Sequence, residues 1–222
     1  MPDQPAVARV PAPWTLHGEA HAVLLWLPRP GVPARSGQLG AGRGRLGILA
    51  LARYVDSPVG PYDELLWLVP WGLRHGRRRL HTVARIFVSS EASCINGRRN
   101  WAIPKQVARF EEERLSASVQ RFEVSTPQGC VASFSVASGR RHGGIDTRVV
   151  PAALRCLGQV QGARSFLMAP SVRGRLHLAR FSALTTDADQ LIESRGARML
   201  GAVSLSGMQM TVPVPTVVQR DG

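Results

Sequence analysis

Short apolar stretches recur along the chain, and glycine and proline residues separate them. Two of these stretches, 115–124 and 130–136, partly alternate between apolar and polar residues, as half-buried strands do. The other stretches are 22–27, 46–54, 64–69, 82–88, 175–184 and 199–212. Many short strands separated by turn signals predict a mainly β protein with minor α content. Such a pattern is typical of a barrel or sandwich and not of alternating βαβ units.

Helical signals are weak, and the best candidate for a helix is the segment 186–195. Thr186 or Asp187 would cap its first turn, and Leu191 and Ile192 would form its buried face. No internal repeat or long linker divides the sequence. Residues 1–222 are therefore predicted to form one domain, with frayed ends at about 1–11 and 219–222.

The composition, with 44% hydrophobic residues, is that of an ordinary globular protein. No apolar run reaches the roughly 18 residues that a membrane span needs, so no membrane partner is expected. The N-terminus lacks the basic and apolar regions of a secretion signal. Three widely separated cysteines fit reduced thiols better than a disulfide framework. These features together predict a cytoplasmic protein.

The formal net charge of +13 raises the question of a nucleic-acid partner. The basic residues are spread along the chain, and only Arg74 with 77–79 forms a tight cluster. No aromatic residues are interleaved with that cluster, and no nucleic-acid-binding motif accompanies it. A solvated loop, or the attraction of small anionic substrates, explains the charge as well. We therefore expect no nucleic-acid partner.

Two nominal binding motifs are weak. Gly42, Gly44 and Gly47 match the spacing of a dinucleotide fingerprint, but a strand-like segment follows them where that motif needs a helix. We interpret this stretch as a hairpin connection. His17 and His21 lie four residues apart near a predicted surface turn, where solvated side chains are favoured over metal ligands. The sequence therefore predicts neither a metal site nor a cofactor.

Lys105 is the only lysine in a chain with 28 lysine and arginine residues together. At most surface positions arginine can serve in place of lysine. Its guanidinium, however, stays protonated and does not form imines with carbonyls. The single lysine therefore points to amine chemistry at Lys105. The alternative is that one lysine has survived by chance in an arginine-rich sequence.

Two segments carry a more specific signal. The first, Ser-Pro-Val-Gly-Pro-Tyr-Asp-Glu, ends at Glu64, and the second, Gly-Arg-Arg-Asn-Trp-Ala-Ile-Pro-Lys, ends at Lys105. In this order the two segments resemble the acetoacetate decarboxylase superfamily, in which a similar first segment precedes a strand and the second presents the Schiff-base lysine. With a looser likeness at 201–213, the resemblance extends over about half of the chain.

The resemblance implies an antiparallel β-barrel that holds Lys105 inside. In such enzymes the lysine attacks the ketone of a β-keto acid, and the imine accepts the electron pair that remains when carbon dioxide leaves. A free lysine has a pKa of about 10.4 and is a poor nucleophile at neutral pH. Desolvation or a nearby cation must lower that pKa, as is known for acetoacetate decarboxylase. Apolar neighbours from Trp101 to Pro104 are compatible with desolvation.

The resemblance also assigns roles to other residues. Glu64 matches the active-site glutamate, which would orient the imine or relay a proton, although a glutamate bonded to backbone at a strand start is the alternative. Because Asp63 lies on the opposite strand face, only one of the two carboxylates should point inward. The residues expected to bind the small keto-acid substrate are Arg29, Tyr62, Arg98 and Trp101.

Two positions depart from the family pattern. Gln106 stands where the decarboxylases carry a second lysine, and Ala102 stands where they carry a glycine. These changes leave imine formation in place but open alternatives to decarboxylation, namely aldol or dehydration chemistry on pyruvate-like acids. A non-catalytic binding protein, with Lys105 charged and paired with Glu64, is the competing class. Since relatives assemble from dimers upward, a homo-oligomer is expected.

Overall fold

Strands dominate the computed structural model, which describes residues 7–28 and 45–219. The strands are β1 (Trp14–Trp26), β2 (Leu46–Asp56), β3 (Tyr62–His75), β4 (Arg78–Val88), β5 (Lys105–Val107), β6 (Arg109–Arg114), β7 (Val119–Thr126), β8 (Gly129–Asp146), β9 (Leu157–Gln161), β10 (Arg164–Met168), β11 (Ser171–Thr186), β12 (Arg198–Val212) and β13 (Thr216–Gln219). The helices are α1 (Glu91–Trp101), α2 (Ala152–Arg155) and a 3-10 helix (Thr147–Val149). The predicted mainly β fold with minor α content is confirmed.

The strands form one mixed sheet in the order β13-β10-β9-β4-β3-β2-β1-β12-β11-β8-β7-β6, with β5 also pairing with β4. β4 is parallel to β5 and to β9, and the other ladders are antiparallel. Within the described residues no ladder joins the edge strands β6 and β13, so the sheet is not closed. The predicted antiparallel barrel is therefore not confirmed. β4 and β5 are parallel because α1 connects them as a crossover.

Two clusters of buried apolar side chains form most of the core. The first cluster includes Leu65 and Trp67, and the second includes Tyr62 and Trp101. Successive side chains of a strand point to opposite faces, so β3 contributes alternately to the two clusters. Glu64 lies two residues after Tyr62, so this alternation directs its side chain toward the second cluster.

The helix predicted at 186–195 is wrong, because the segment forms turns. The Asp187 carboxylate accepts bonds from two following backbone N–H groups, as a helix cap does. Only one turn follows, because the Thr186 hydroxyl donates to the carbonyl of Ile192 and closes the segment. Leu191 and Ile192 are nevertheless buried in the first cluster.

The sequence analysis did not predict α1, which carries part of the candidate site. Ser90 caps the helix by accepting a bond from the Ser93 N–H, and Glu91 lies in the first turn. A serine followed by an acidic residue favours a helix start. The serine accepts a bond from a free backbone N–H, and the acidic side chain is attracted to the positive end of the helix dipole. Few apolar residues follow, so the helix lacks a clear hydrophobic periodicity.

Part of the segment 1–11, which was predicted to fray, is hydrogen-bonded to α1. The N–H of Val10 donates to Asn96 Oδ1 at 2.8 Å, and Asn96 Nδ2 donates to the carbonyl of Ala8 at 3.0 Å. Asn100 Nδ2 adds a third bond at 2.8 Å, to the carbonyl of Val10. α1 therefore holds this part of the chain. At the other end, all but the first residue of the predicted frayed segment lies outside the described residues.

Ala102 ends α1 with left-handed backbone angles, φ 55° and ψ 22°. A side chain in this conformation costs about 1 kcal/mol, which glycine avoids. We expect Ala102→Gly to raise the free energy of unfolding by about 1 kcal/mol, measured by urea denaturation. Ala92→Gly, inside the same helix, should lower it by about 1 kcal/mol. Destabilisation by both substitutions would contradict the assignment of strain to Ala102.

A candidate active site around Lys105

Lys105 and Glu64, which are distant in the sequence, meet as a buried ion pair. The Nζ atom of Lys105 lies 2.8 Å from Glu64 Oε2. Lys105 begins β5 beside Ile86 of β4, and Glu64 pairs with Val88 of the same strand. Each residue is only 4% exposed. The structure thus brings the two predicted catalytic residues together inside the protein.

The helix α1 fixes the backbone of Lys105. Arg98 Nε donates to the Lys105 carbonyl at 2.7 Å, and Cys94 Sγ donates to the same oxygen at 3.2 Å. Arg98 does not line the cavity described below. Its contact positions the lysine backbone, and its role in substrate binding stays a prediction.

α1 also shapes the space around the lysine side chain. Ser93 Oγ lies 2.9 Å from Lys105 Nζ, and Gly97 lies one helical turn later on the same face. A Cβ atom built on Gly97 would be 2.7 Å from Lys105 Cδ and 2.8 Å from Cε. The glycine therefore leaves room for the lysine. Sequence reasoning missed Ser93, although a helix through Gly97 would have placed the two residues together.

Gly97→Ala should misplace the lysine amine, because the added methyl group occupies the position of its side chain. A displacement of about 1 Å can cost about 100-fold in rate, and we expect a loss of that order in imine formation. The rate of borohydride trapping with a keto acid measures it. Gly201→Ala is the control, since a Cβ there meets nothing within 4 Å. Equal trapping rates in the two variants would contradict the role of Gly97.

Lys105 and Glu64 face a cavity of about 80 Å³. Its polar lining groups are Lys105, Glu64 and Tyr62. The apolar lining residues are Trp14, Leu16, Leu66, Val83, Ile86, Trp101, Ile103, Leu157, Met168, Pro170, Met210 and Val212. Tyr62 and Trp101 thus lie where the sequence predicted a substrate site, whereas Arg29 lies outside the described residues. The described part of the cavity is apolar except at these three polar groups.

Trp101 closes one side of this cavity. Its indole Nε1 donates to the carbonyl of Pro213 at 2.7 Å. The ring packs edge-on against Trp14, with centroids 5.0 Å apart. Because its polar atom is satisfied outside the cavity, Trp101 presents an apolar surface to the lysine side of the site.

Two tyrosines complete the surroundings of the ion pair. The Tyr62 hydroxyl lies 3.5 Å from Lys105 Nζ, and the Tyr54 hydroxyl donates to Glu64 Oε1 at 3.4 Å. Burial raises the pKa of both tyrosines above the usual value, and the negative charge of Glu64 adds to the effect. Both hydroxyls are therefore protonated at neutral pH. Tyr54 donates to Glu64, whereas Tyr62 accepts from the Lys105 amine.

Two opposing effects set the pKa of Lys105. Burial disfavours the charged amine, but the Glu64 carboxylate and the Tyr62 hydroxyl outweigh it, so the pKa lies above its ordinary value of 10.5. The amine is therefore charged at neutral pH in this arrangement. This direction is opposite to the lowered pKa that imine formation requires, so the substrate complex must supply the neutral amine.

Predictions about polar residues outside the cavity had mixed outcomes. As expected for opposite strand faces, Asp63 points away from the site and accepts a bond from Arg53 Nε at 3.0 Å. The solvated interpretation of His21 is wrong, because this residue is 5% exposed, and β1 runs unbroken through it and the partly exposed His17. Of the fingerprint-like glycines, Gly47 lies in β2, and the other two lie outside the described residues.

The described residues contain neither a metal-ligand cluster nor a membrane-spanning helix. In the parts of the chain that the structure describes, no group of three or more histidine, cysteine, aspartate or glutamate side chains could hold a metal ion. Within 7–28 and 45–219, no helix has the length and apolar character of a membrane span.

Comparison with curated proteins finds plant relatives of partial coverage. The chain is 31% identical to protein NEOXANTHIN-DEFICIENT 1 of Arabidopsis thaliana over 115 residues, or 49% of this chain and 40% of that protein. It is 32% identical to the Solanum lycopersicum protein of the same name over 115 residues, or 50% and 38% of the two chains. The match thus spans well under half the length of these relatives. No protein-family model matches the chain.

Comparison with solved structures finds matches over almost the whole chain. Acetoacetate decarboxylase from Legionella pneumophila has a TM-score of 0.69 at 13% identity, covering 98% of this chain and 92% of that one. An acetoacetate decarboxylase-like enzyme from Sphingomonas wittichii also scores 0.69 at 13% identity, covering 96% and 95%. The enduracididine biosynthesis enzyme MppR, complexed with pyruvate, scores 0.59 at 15% identity, covering 97% and 93%. The chain therefore has the fold of the acetoacetate decarboxylase-like superfamily.

Proposed function

We propose that this protein is an enzyme that forms a Schiff base between Lys105 and a small keto acid, and that the reaction is the decarboxylation of a β-keto acid. The observation that supports this most is the position of the only lysine. Its amine is buried, lies 2.8 Å from a carboxylate and faces an apolar cavity. A carboxylate that can take and return the amine proton is what imine formation needs.

The first step is transfer of a proton from Lys105 Nζ to Glu64. The transfer replaces a buried ion pair with two neutral groups, and burial lowers its cost because charges are poorly solvated in the cavity. The neutral amine then attacks the ketone carbon, and the ketone oxygen takes the proton from Glu64. Glu64 next accepts a proton from the nitrogen and gives it to the new hydroxyl group. Water leaves, and a protonated imine remains beside the Glu64 carboxylate.

In the second step the bond to the substrate carboxylate breaks. Carbon dioxide leaves, and the electron pair of that bond moves through the new double bond to the imine nitrogen, giving an enamine. The enamine carbon takes a proton from water, and hydrolysis releases the ketone and the free lysine. The apolar lining favours this step, because the negative charge of a carboxylate is poorly solvated there while its loss leaves neutral products.

A lyase that condenses or dehydrates pyruvate-like acids is the alternative within the same chemistry. The neutral Gln106 supports this alternative, because it is exposed and brings no second cation to Lys105. The fold neighbour MppR was studied in complex with pyruvate, which makes pyruvate the appropriate comparison substrate.

A non-catalytic binding protein is the second candidate function. The raised pKa of Lys105 favours it, since a charged lysine paired with Glu64 is unreactive toward ketones. In that case the cavity would bind a small molecule without forming a covalent bond. The two functions differ in whether a keto acid forms an imine with Lys105.

Borohydride trapping with acetoacetate and, separately, pyruvate tests the proposal by intact mass and peptide mapping. With one lysine in the chain, the N-terminal amine is the only other site, and Lys105→Arg distinguishes the two. We expect a reduced adduct on Lys105, with carbon dioxide released from the β-keto acid. No adduct with either acid between pH 6 and 9 would favour the binding protein.

We also propose that the protein assembles as a homo-oligomer and has no nucleic-acid partner. Light scattering after size-exclusion chromatography tests the assembly. Oligonucleotide binding at low salt tests the second statement, since binding to phosphates is strongest there.

A further inference from the structure

A second and much larger concavity adjoins the Lys105 cavity. This open groove has a volume of about 880 Å³. Its lining comes from the hairpin of β3 and β4 and from α2, the end of β10 and the segment between β12 and β13. The proposed imine chemistry does not use any part of it except Met168, which lines both spaces.

The hairpin side of the groove is strongly basic. Arg77, Arg78 and Arg79 all line it and are exposed, and no aspartate or glutamate of the described segments lines it. Among the described residues, none of the three arginines takes part in an ion pair. Adjacent guanidinium groups without carboxylates repel one another, and an anion placed between them removes that repulsion. This side of the groove is therefore complementary to an anionic group.

Much of the remaining lining of the groove is apolar. Ala152, Ala153, Leu167 and Val214 belong to it, and Val214 is 62% exposed. A groove that combines apolar and basic surfaces does not suit a nucleic acid, whose exposed backbone is charged along its length. It suits an amphiphile with one anionic end and an apolar chain.

The strand β4 connects the basic turn with the Lys105 cavity. Leu80 lines the groove, whereas Val83 and Ile86 line the cavity, and Ile86 pairs with Lys105. From Arg79 to Ile86 the strand covers about 23 Å, at about 3.3 Å per residue. An extended chain held at the arginines would therefore point along β4 toward Met168.

We propose that this groove is a binding site for an anionic amphiphile. A carboxylate or phosphate end group contacts the arginines of 77–79, and the apolar chain lies against α2 and Leu167. The site stands on its own lining and does not depend on imine formation at Lys105.

Isothermal titration calorimetry with octyl phosphate and octanoate, below their micelle concentrations, tests the site. Octyl glucoside is the neutral control with the same chain, and inorganic phosphate is the anion without a chain. We expect both anionic amphiphiles to bind about tenfold or more tightly than either control. The ratio between them shows which anionic group the site prefers. Equal binding of octyl glucoside would overturn the proposal.

Two sets of variants locate the site. The triple variant R77Q/R78Q/R79Q should weaken binding about tenfold or more, because it removes the charge–anion contacts. The matched control R121Q/R180Q/R198Q removes three exposed arginines elsewhere and should retain binding. Equal losses in the two sets would show only a general effect of net charge and overturn the site.

Two further measurements separate this site from its alternatives. Lys105→Met should retain octyl phosphate binding while abolishing borohydride trapping, so the two proposals can fail independently. Loss of octyl phosphate binding in this variant would overturn a separate groove site. The proposal would also be overturned if a single-stranded oligonucleotide bound more tightly than octyl phosphate and if R77Q/R78Q/R79Q abolished that binding.

Discussion

Replacing Glu64 with glutamine is expected to lower the pKa of Lys105 below its ordinary value of 10.5. The carboxylate is the main group that holds this pKa up, whereas burial acts in the opposite direction and is the largest single influence. Glutamine keeps the shape of the side chain but carries no charge. Burial then dominates, and the neutral amine becomes the favoured form at a lower pH.

The same substitution should separate the ionisation of Lys105 from its reaction. Each lowering of the pKa by one makes the free amine about tenfold more abundant, so the fraction of free amine at pH 7 should rise by about tenfold or more. Borohydride trapping and turnover of the β-keto acid should nevertheless fall about 100-fold, because the proton relay of Glu64, which imine formation needs, is lost. Lysine labelled with carbon-13 at the ε position gives one NMR resonance, since the chain has one lysine, and this resonance follows the titration directly.

Asp63→Asn is the matched control, because it removes the neighbouring carboxylate on the opposite face of β3. That carboxylate pairs with Arg53 and not with Lys105. The control should leave the lysine titration and the trapping rate unchanged. An unchanged titration in Glu64→Gln itself would mean that the ion pair does not govern the amine, and the activation step proposed above would have to be abandoned.

Lys105 and Glu64 could be predicted as catalytic residues from the sequence, because each lies in a short motif with an unusual residue order. The sequence was not sufficient for Ser93 and Gly97. Their roles depend on a helix that has few apolar positions and hence no visible periodicity. What places Ser93 near the amine is the packing of α1 on β5, a tertiary contact that local sequence does not encode.

The eight strands of eight or more residues each overlap a predicted stretch, whereas the five shorter strands, β5, β6, β9, β10 and β13, were not predicted. The arrangement of the sheet was not predicted, because strand order and closure depend on which distant strands pair. The parallel pairing of β4 with β5 follows from the crossover through α1, so missing that helix also removed the clue to a mixed sheet. The segment 186–195 shows the opposite error, since a good cap at Asp187 is followed by a turn.

His21 makes a second buried polar site, on the side of the first core cluster. Its Nδ1 lies 2.7 Å from Ser204 Oγ, whereas Nε2 has no hydrogen-bond partner among the described residues. The ring packs against Phe122, with centroids 5.5 Å apart. Burial lowers the pKa of His21 from 6.5 to about 4, because a charged imidazolium would be poorly solvated there, and the opposing charges of Glu112 and Arg53 modify the effect.

This lowered pKa predicts acid destabilisation well above the range in which carboxylates titrate. Above pH 6.5 the histidine is neutral in both the folded and unfolded states and contributes no pH dependence. Below pH 6.5 His21 binds a proton in the unfolded chain but not in the folded protein. The free energy of unfolding therefore falls by about 3 kcal/mol by pH 4. Urea denaturation at pH 7, 6, 5 and 4.5 measures the loss. His21→Asn should flatten this dependence, whereas His17→Asn, on the same strand but partly exposed, should retain it. A slope that survives in His21→Asn would assign the acid sensitivity to other groups.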